Sequence, residues 1–295
     1  MRSTIRAQTP LHLLSRVVTL VTLAVASVAS LAQVAEAQIF DQSYRREQGV
    51  AVSASGGLFS DRVFRGQNLY NGSSLQLDAK PELRTDWGSI YGGFFTHVGL
   101  DQNDPRLSSS ASFDTTDSNG NDAEVAYVTP GFNEFDFDLG TEFELEVGSL
   151  SVGHKWYNYD ASSPRLVDTA ELYTGLKLDV FLNPEFLLAY DWDQHEGAYF
   201  QGSIDHPIPL TGLNGSAAII PELTIGFSSG LDNGENPIYE SSGTAFLDLA
   251  LRGEFPIAEG FSVEPELHYN EGIDDASTSD FWFGVKIAGQ FASPM

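Results

Sequence analysis

Residues 134–147 read Glu134-Phe135-Asp136-Phe137-Asp138-Leu139-Gly140-Thr141-Glu142-Phe143-Glu144-Leu145-Glu146-Val147. The odd positions, Thr141 apart, are Phe, Leu or Val, and the even positions, Gly140 apart, are carboxylates. A period of two is the signature of a β-strand whose successive side chains point to opposite faces. One face of this strand is therefore oil and the other is acid. A soluble core does not readily take the acidic face, because desolvating a carboxylate without a partner is costly. A membrane-spanning barrel accommodates both, with lipid outside and a polar lumen inside.

The same alternation recurs on either side. Leu75, Leu77, Ala79, Pro81 and Leu83 oppose Gln76, Asp78, Lys80, Glu82 and Arg84. Leu172, Leu176 and Leu178 oppose Glu171, Lys177 and Asp179, and Leu247, Leu249 and Leu251 oppose Asp248, Arg252 and Glu254. Phe261, Val263, Leu267 and Tyr269 oppose Glu264, Glu266 and His268, and Phe281, Phe283, Val285, Ile287 and Phe291 alternate with positions that include Lys286 and Gln290. Twelve strands are expected, near 48–59, 73–85, 88–100, 132–147, 150–159, 168–180, 185–193, 197–206, 216–227, 244–255, 260–270 and 280–291. An even number suits a closed antiparallel ring with both ends of the chain on the periplasmic side.

The connections support that polarity. Those at 86–87, 148–149, 181–184 and 256–259 are short and, with the longer one at 207–215, are assigned to the periplasm. Those at 60–72, 101–131, 160–167, 228–243 and 271–279 are longer, rich in Asp, Asn, Gly and Ser, and are assigned to the outside. The very short connection near 194–196 fits this rhythm least. A soluble β-sandwich also alternates, but with its outward faces in water, and a periplasmic binding protein of that kind is the competing fold.

Composition agrees. Twenty Phe, 11 Tyr, 4 Trp and 28 Gly with 2 Met favour strands and turns over helices. With 41 acidic against 15 basic residues, the net charge of -26 excludes a nucleic-acid partner. The absence of cysteine excludes disulfides, thiolate metal sites and cysteine nucleophiles. At the start, Arg2, Arg6 and Arg16 precede the apolar run 17–32, and Ala35-Glu36-Ala37 follows it. That order is expected to be a secretory signal peptide over 1–37, cleaved after Ala37, with a barrel over 38–295 destined for the bacterial outer membrane.

The stretch Ser60-Asp61-Arg62-Val63-Phe64-Arg65-Gly66-Gln67 resembles the S-D-x-x-F-R-G signature of a group of bacterial outer-membrane proteins known as Gcw_chp. Gly153, Tyr157 and Tyr159, and then Glu171, Tyr173, Gly175 and Leu176, resemble its later G-x-x-x-Y-x-Y and E-x-Y-x-G-L stretches. Arg62 stands where that group has an aromatic residue, and 101–131 is an insertion relative to it. The resemblance implies a barrel, assigns no activity and carries no catalytic residue.

If the apolar faces meet lipid, the lumen is lined by Asp78, Lys80, Glu82, Arg84, Glu134, Asp136, Asp138, Glu142, Glu144, Glu146, Glu264, Glu266 and His268. Acid outweighs base there, so a conducting lumen is expected to prefer small cations or small solutes over anions. Along 134–146, either bases on adjacent strands or bound cations must offset the carboxylates. Arg62 and Arg65 are expected to fold inward as a constriction, to hold an anionic ligand, or to pair with lumen carboxylates.

Asp101 to Asp104, Asp117 to Asp122 and Asp274-Asp275 are oxygen-rich, but none has the spacing of a calcium loop, and no metal or cofactor is expected. Gly226-Phe227-Ser228-Ser229-Gly230 matches G-x-S-x-G, yet it runs from a strand into a Gly/Asn-rich loop rather than into a helix. His97, His154, His195, His206 and His268 show no metal or catalytic spacing, so no enzyme is expected. The leading expectation is a porin-like uptake channel. The alternative is a non-conducting structural barrel whose loops contact surface partners.

Overall fold

The computed structural model describes residues 48–100, 114–116, 122–124, 133–159, 168–194, 196–210, 217–229, 245–273 and 279–294. Within them run β1 (Gly49–Phe64), β2 (Gln67–Arg84), β3 (Gly88–Gly99), β4 (Asn133–Leu145), β5 (Gly148–Tyr159), β6 (Thr169–Leu178), β7 (Glu185–Asp191), β8 (Ala198–Asp205), β9 (Ala218–Ser229), β10 (Ala245–Ala258), β11 (Phe261–Gly272) and β12 (Asp280–Pro294). Each pairs antiparallel with its neighbour in sequence, and β1 pairs with β12 from Gly49–Pro294 to Phe59–Gly284. The ring is closed, and the twelve-strand barrel expected from the alternation is the fold. A two-residue strand, Ile208–Pro209, extends the pairing at the start of β9, and Asp114–Thr116 pairs with Asp122–Glu124 as a separate small hairpin.

Closure also disposes of the sandwich, which would leave two sheets with edges. The ring instead satisfies its ladder internally, as hydrocarbon requires, since no water there can pair with a free N–H or C=O. The side chains sort as lipid would sort them. Phe135, Phe137 and Leu139 are 43%, 50% and 54% exposed, while Glu134 and Asp136 between them are 1% exposed. Directly opposed residues of an antiparallel pair share a face, so Phe137 lies with Phe94 and Trp156 outside, and Asp136 with Phe95 and Tyr157 inside. Exposed Phe, Leu, Ile and Val continue around the ring through Ile225, Leu249, Leu267 and Phe283.

Several boundaries differ from the sequence reading. Residues 60–72 are not a loop: β1 runs on to Phe64 and β2 starts at Gln67, with only Arg65-Gly66 between them. This stretch lacks clean alternation because its register shifts twice, between Phe59 and Asp61 and between Arg62 and Val63. Gly148 and Ser149 begin β5, so the preceding turn is Glu146-Val147 and Glu146 lies off the strand, exposed. β10 reaches Ala258 through an irregularity after Pro256, leaving Glu259-Gly260 as the turn. β12 continues past Phe291 to Pro294. The expected signal peptide, the runs at Asp101 to Asp104 and Asp274-Asp275, and most of 101–131, 160–167 and 228–243 lie outside the described residues. Among the described residues, no helix is long and apolar enough to cross a membrane.

The β1–β12 seam sets a tight steric condition. A Cβ at Gly57 would sit 2.6 Å from the Val285 carbonyl oxygen and 2.7 Å from Lys286 Cβ, whereas one at Gly92 would meet nothing nearer than 3.8 Å. Gly57→Val is therefore expected to reduce the compact, heat-modifiable band on a semi-native gel after refolding, with Gly92→Ala leaving it at the parental level.

Candidate functional site

The β1–β2 hairpin leaves the wall. β1 pairs with both neighbours only as far as Phe59; from Asp61 onward it pairs with β2 alone. Beyond that point the hairpin is buried, with Asp61 at 7%, Gln67 at 7% and Tyr70 at 1% exposure. Its partners show where it goes. Arg62 reaches Glu134 on β4, Arg65 reaches Tyr157 on β5 and Glu171 on β6, and the Arg65 guanidinium lies 4.0 Å from the Tyr199 ring on β8. The Gly66 backbone abuts Phe246 on β10, Asn270 of β11 donates to the Gly66 carbonyl at 3.1 Å, and Asn68 donates to Asp280 of β12. A segment that touches seven strands around a ring lies inside it. The hairpin crosses the lumen at the end opposite the start of β1 and the finish of β12.

The turn is built for that place. Arg65 and Gly66 both have positive φ, at 51° and 77°, the pattern of a two-residue turn that matches strand twist. Only Gly fits at 66, because a Cβ there would be 2.5 Å from the Phe246 side chain. Arg65 adopts a conformation disfavoured by of order 1 kcal/mol for a residue with a Cβ. Its side-chain contacts offset this. Nη1 lies 2.5 Å from Glu171 Oε1 and Nη2 lies 2.7 Å from Oε2, a two-pronged pair that is 8% and 3% exposed. The Tyr157 hydroxyl donates to the same carboxylate at 2.9 Å.

Arg62 repeats the arrangement two strands away, on β4. Its Nε and Nη2 lie 2.8 Å and 3.1 Å from the two oxygens of Glu134, and its guanidinium is 4.7 Å from the Phe95 ring. Phe64, Leu69 and Tyr70 of the hairpin pack with Tyr157 and Tyr159 of the wall. Of the options read from sequence for these two arginines, the one observed is pairing with lumen carboxylates.

Nearer the barrel's middle, Lys155 offsets Asp136 at 3.0 Å. Tyr173 donates to Asp138 at 2.7 Å and meets the Tyr91 hydroxyl at 2.7 Å. Lys80 sits 3.8 Å from the Tyr91 ring, and Asp78 shares the face of Ser55 and Phe95. On β4, Glu134, Asp136 and Asp138 meet bases and tyrosines from other strands, and Glu142 and Glu144 lie on the same face towards the far end.

Towards that end, Arg84 pairs with Glu82 at 3.2 Å, and Lys286 lies 3.4 Å and 3.3 Å from Glu264 and Glu266. Arg252 pairs with Glu222 at 2.7 Å and lies 3.5 Å from Asp205. Back towards the hairpin, the His268 Nδ1 is 2.9 Å from Asp248 and its ring stacks on Trp282 at 3.7 Å. A cavity of about 200 Å³ is bordered by Arg252, Glu254, Glu264, Glu266 and Lys286.

Sequence reasoning did not single out Tyr91, Tyr199 or Asn270, which resemble ordinary strand aromatics or loop polar residues, and it reached Tyr173 only through the family resemblance. The three stretches that carry the family resemblance meet here: Arg65 of the first bonds Glu171 of the third and Tyr157 of the second, and Gly153 leaves room for the Tyr173 hydroxyl, 2.2 Å from where its Cβ would be. Ser228 of the G-x-S-x-G match lies on β9 opposite Tyr199, one residue before the strand's end at Ser229. Among the described residues no group of acids and histidines is arranged to hold a metal ion.

A closed antiparallel ring with an apolar exterior and a charged, hydrogen-bonded interior defines a transmembrane β-barrel of the bacterial outer membrane. No family model and no curated protein matches the chain. Among solved structures it is similar to the KdgM porin, at 11% identity and a TM-score of 0.45 over 82% of this chain and 99% of that one. It is similar also to the COG4313 outer membrane channel from Pseudomonas putida F1, at 8% identity and a TM-score of 0.46 over 86% and 100%. LpxR from Salmonella typhimurium gives 8% and 0.46 over 81% and 99%. At that identity none of them assigns this chain a solute or an activity.

Removing one partner of a buried ion pair strands the other. Arg65→Met is expected to destabilise the barrel by roughly 3 kcal/mol, read as an earlier midpoint in urea unfolding from detergent. The double variant Arg65→Met/Glu171→Gln is expected to recover part of that loss.

Proposed function

We propose that this barrel is an outer-membrane channel for small solutes, narrowed near its outer end by the 60–73 hairpin, with a preference for cations. The observation that carries the reading is the hairpin tip itself, fastened across the lumen by two-pronged arginine–carboxylate pairs. A barrel that only had to be stable would gain by filling its interior with apolar side chains, since a buried ion pair contributes little over a packed hydrophobic one. Charged clasps across a lumen suit a passage whose width is held rather than filled. Arg62 and Arg65 form the constriction in this reading. Asp78, Lys80, Glu82, Arg84, Asp136, Asp138, Glu142, Glu144, Glu264, Glu266 and His268 line the path, with Glu134 as the clasp for Arg62.

The bias towards cations follows from the excess of carboxylates along β4, where Glu142 and Glu144 extend the acidic face past Asp138. We assign no catalytic role to the chain. The convergence of the three motif stretches on Arg65 supports a place among the Gcw_chp-type barrels. A second reading, a non-conducting structural barrel, is favoured by the burial of the hairpin's Tyr70 against Tyr157 and Tyr159.

Planar-bilayer recording of the refolded barrel under a salt gradient separates the two. Discrete steps with a cation-selective reversal potential are expected, with larger steps in Arg62→Ala/Arg65→Ala; a folded barrel silent in both forms would leave the structural reading. In a conducting barrel, Glu142→Gln/Glu144→Gln is expected to move the reversal potential towards zero. Unchanged selectivity would remove those carboxylates as the filter.

A further inference from the structure

One row of lumen-facing residues sets tyrosines on either side of a glycine pair. Across β3, β4, β5 and β6, Tyr91 stands directly opposite Gly140, Gly140 opposite Gly153, and Gly153 opposite Tyr173. Opposed residues share a face, and the two rings lean towards each other over the glycines. Their hydroxyl oxygens meet at 2.7 Å, and since Tyr173 donates to Asp138, the proton between them comes from Tyr91. A Cβ at Gly140 would lie 2.5 Å from the Tyr91 hydroxyl, and one at Gly153 would lie 2.2 Å from that of Tyr173. The tyrosines therefore lie along the wall, in the space that two side chains would otherwise fill. The pattern continues: Ala189 on β7, 2% exposed, separates Tyr173 from Tyr199 on β8, whose ring lies 4.0 Å from the Arg65 guanidinium.

Ring orientation matters at this barrel size. About 8 strands give an interior that side chains fill and about 16 an open channel; this ring lies between them, so a few large side chains decide the bore. A ring flat on the wall takes only its thickness from the bore, whereas one standing away from the wall takes its length. Lys80 rests on the Tyr91 ring at 3.8 Å, and Asp78, its neighbour on the same inward face, is exposed, so the space beside these rings admits solvent.

What a methyl group would displace here is the free end of a ring. At Gly88 and Gly148, by contrast, it would strike backbone carbonyl oxygens at 1.9 Å and 2.0 Å. Heavy atoms in contact settle at ~3.5 Å, so Gly153→Ala lifts the Tyr173 hydroxyl by roughly 1.3 Å, off the wall and into the bore. We infer that the row Tyr91, Gly140, Gly153 and Tyr173 sets the largest solute that the barrel passes, the glycines keeping the bore wide by letting the rings lie flat. The inference rests on the solute-passage reading for its purpose, but the geometry needs only the folded barrel.

The test exploits the absence of cysteine. Asp78→Cys supplies a single thiol in the folded mature barrel in detergent, and its rates are measured with two methanethiosulfonate reagents, the small ethylammonium and the bulkier ethyltrimethylammonium. Gly140→Ala and Gly153→Ala, with the heat shift unchanged, are each expected to slow the bulkier reagent relative to the small one by about fivefold, the factor of a barrier raised by about 1 kcal/mol. Adding Tyr173→Ala to Gly153→Ala should restore the parental ratio, which a change confined to wall stability would not do. Tyr173→Ala alone adds no atom and keeps the test open if the alanine variants do not fold; it is expected to speed the bulkier reagent by about twofold. A ratio unmoved by the glycine variants, one not restored in the double variant, or, where those do not fold, one unmoved by Tyr173→Ala overturns the inference. Rates in detergent need no conductance: a silent barrel whose ratio follows the glycines loses only the channel, and a conducting barrel whose ratio ignores them loses only this inference.

Discussion

Everything in this protein depends on the demand that no backbone polar group be left bare in hydrocarbon. The β1–β12 ladder, running from Gly49–Pro294 to Phe59–Gly284, meets that demand by joining the two ends of the sheet. Once the ring is closed, the period of two leaves each strand a single choice: one face to lipid and the other to the lumen. The exposed Phe and Leu of β4 and its buried Glu134 and Asp136 follow from the same register. A slip of one residue would exchange the faces and place carboxylates in lipid.

The interior then poses its own problem, which is how to hold so much acid at close quarters. The chain solves it differently along its axis. At the hairpin end, guanidinium groups bridge to Glu134 and Glu171 with both prongs, backed by tyrosine hydroxyls and rings. In the middle, lysines and tyrosines offset Asp136 and Asp138. At the other end, Lys286 and Arg252 are each shared between two carboxylates around a cavity. Arginine suits the first task because its planar fork matches a carboxylate, and lysine suits the second because its flexible stem lets a point charge settle between acids.

The wall was legible in the sequence and the interior largely was not. Alternation such as 134–147 reports a face pattern directly, so strand number and the sense of the faces could be read from it. Residues 60–72 were misjudged as a loop because two register shifts break the alternation, so that Val63, Phe64, Leu69 and Tyr70 fall among Asp, Arg, Gln, Asn and Gly without a period of two. Glu146 was placed on the strand because a turn residue can continue an alternation by chance. The roles of Tyr91 and Tyr173 were illegible for another reason: they arise from contacts between strands far apart in sequence, Tyr91 with Tyr173 and Tyr173 with Asp138, and no local spacing encodes such a contact.

The hairpin's connectivity bears on the order of assembly. Its residues come from the first two strands, yet its clasps are Glu134, Glu171 and Asn270, separated from their partners by 72, 106 and 204 residues. Contacts so far apart in sequence form late, since the loop between them must first be closed. The earliest described segment of the chain is thus the last to be satisfied: it waits within a curling sheet until the later strands arrive, and the step that joins β1 to β12 also encloses it.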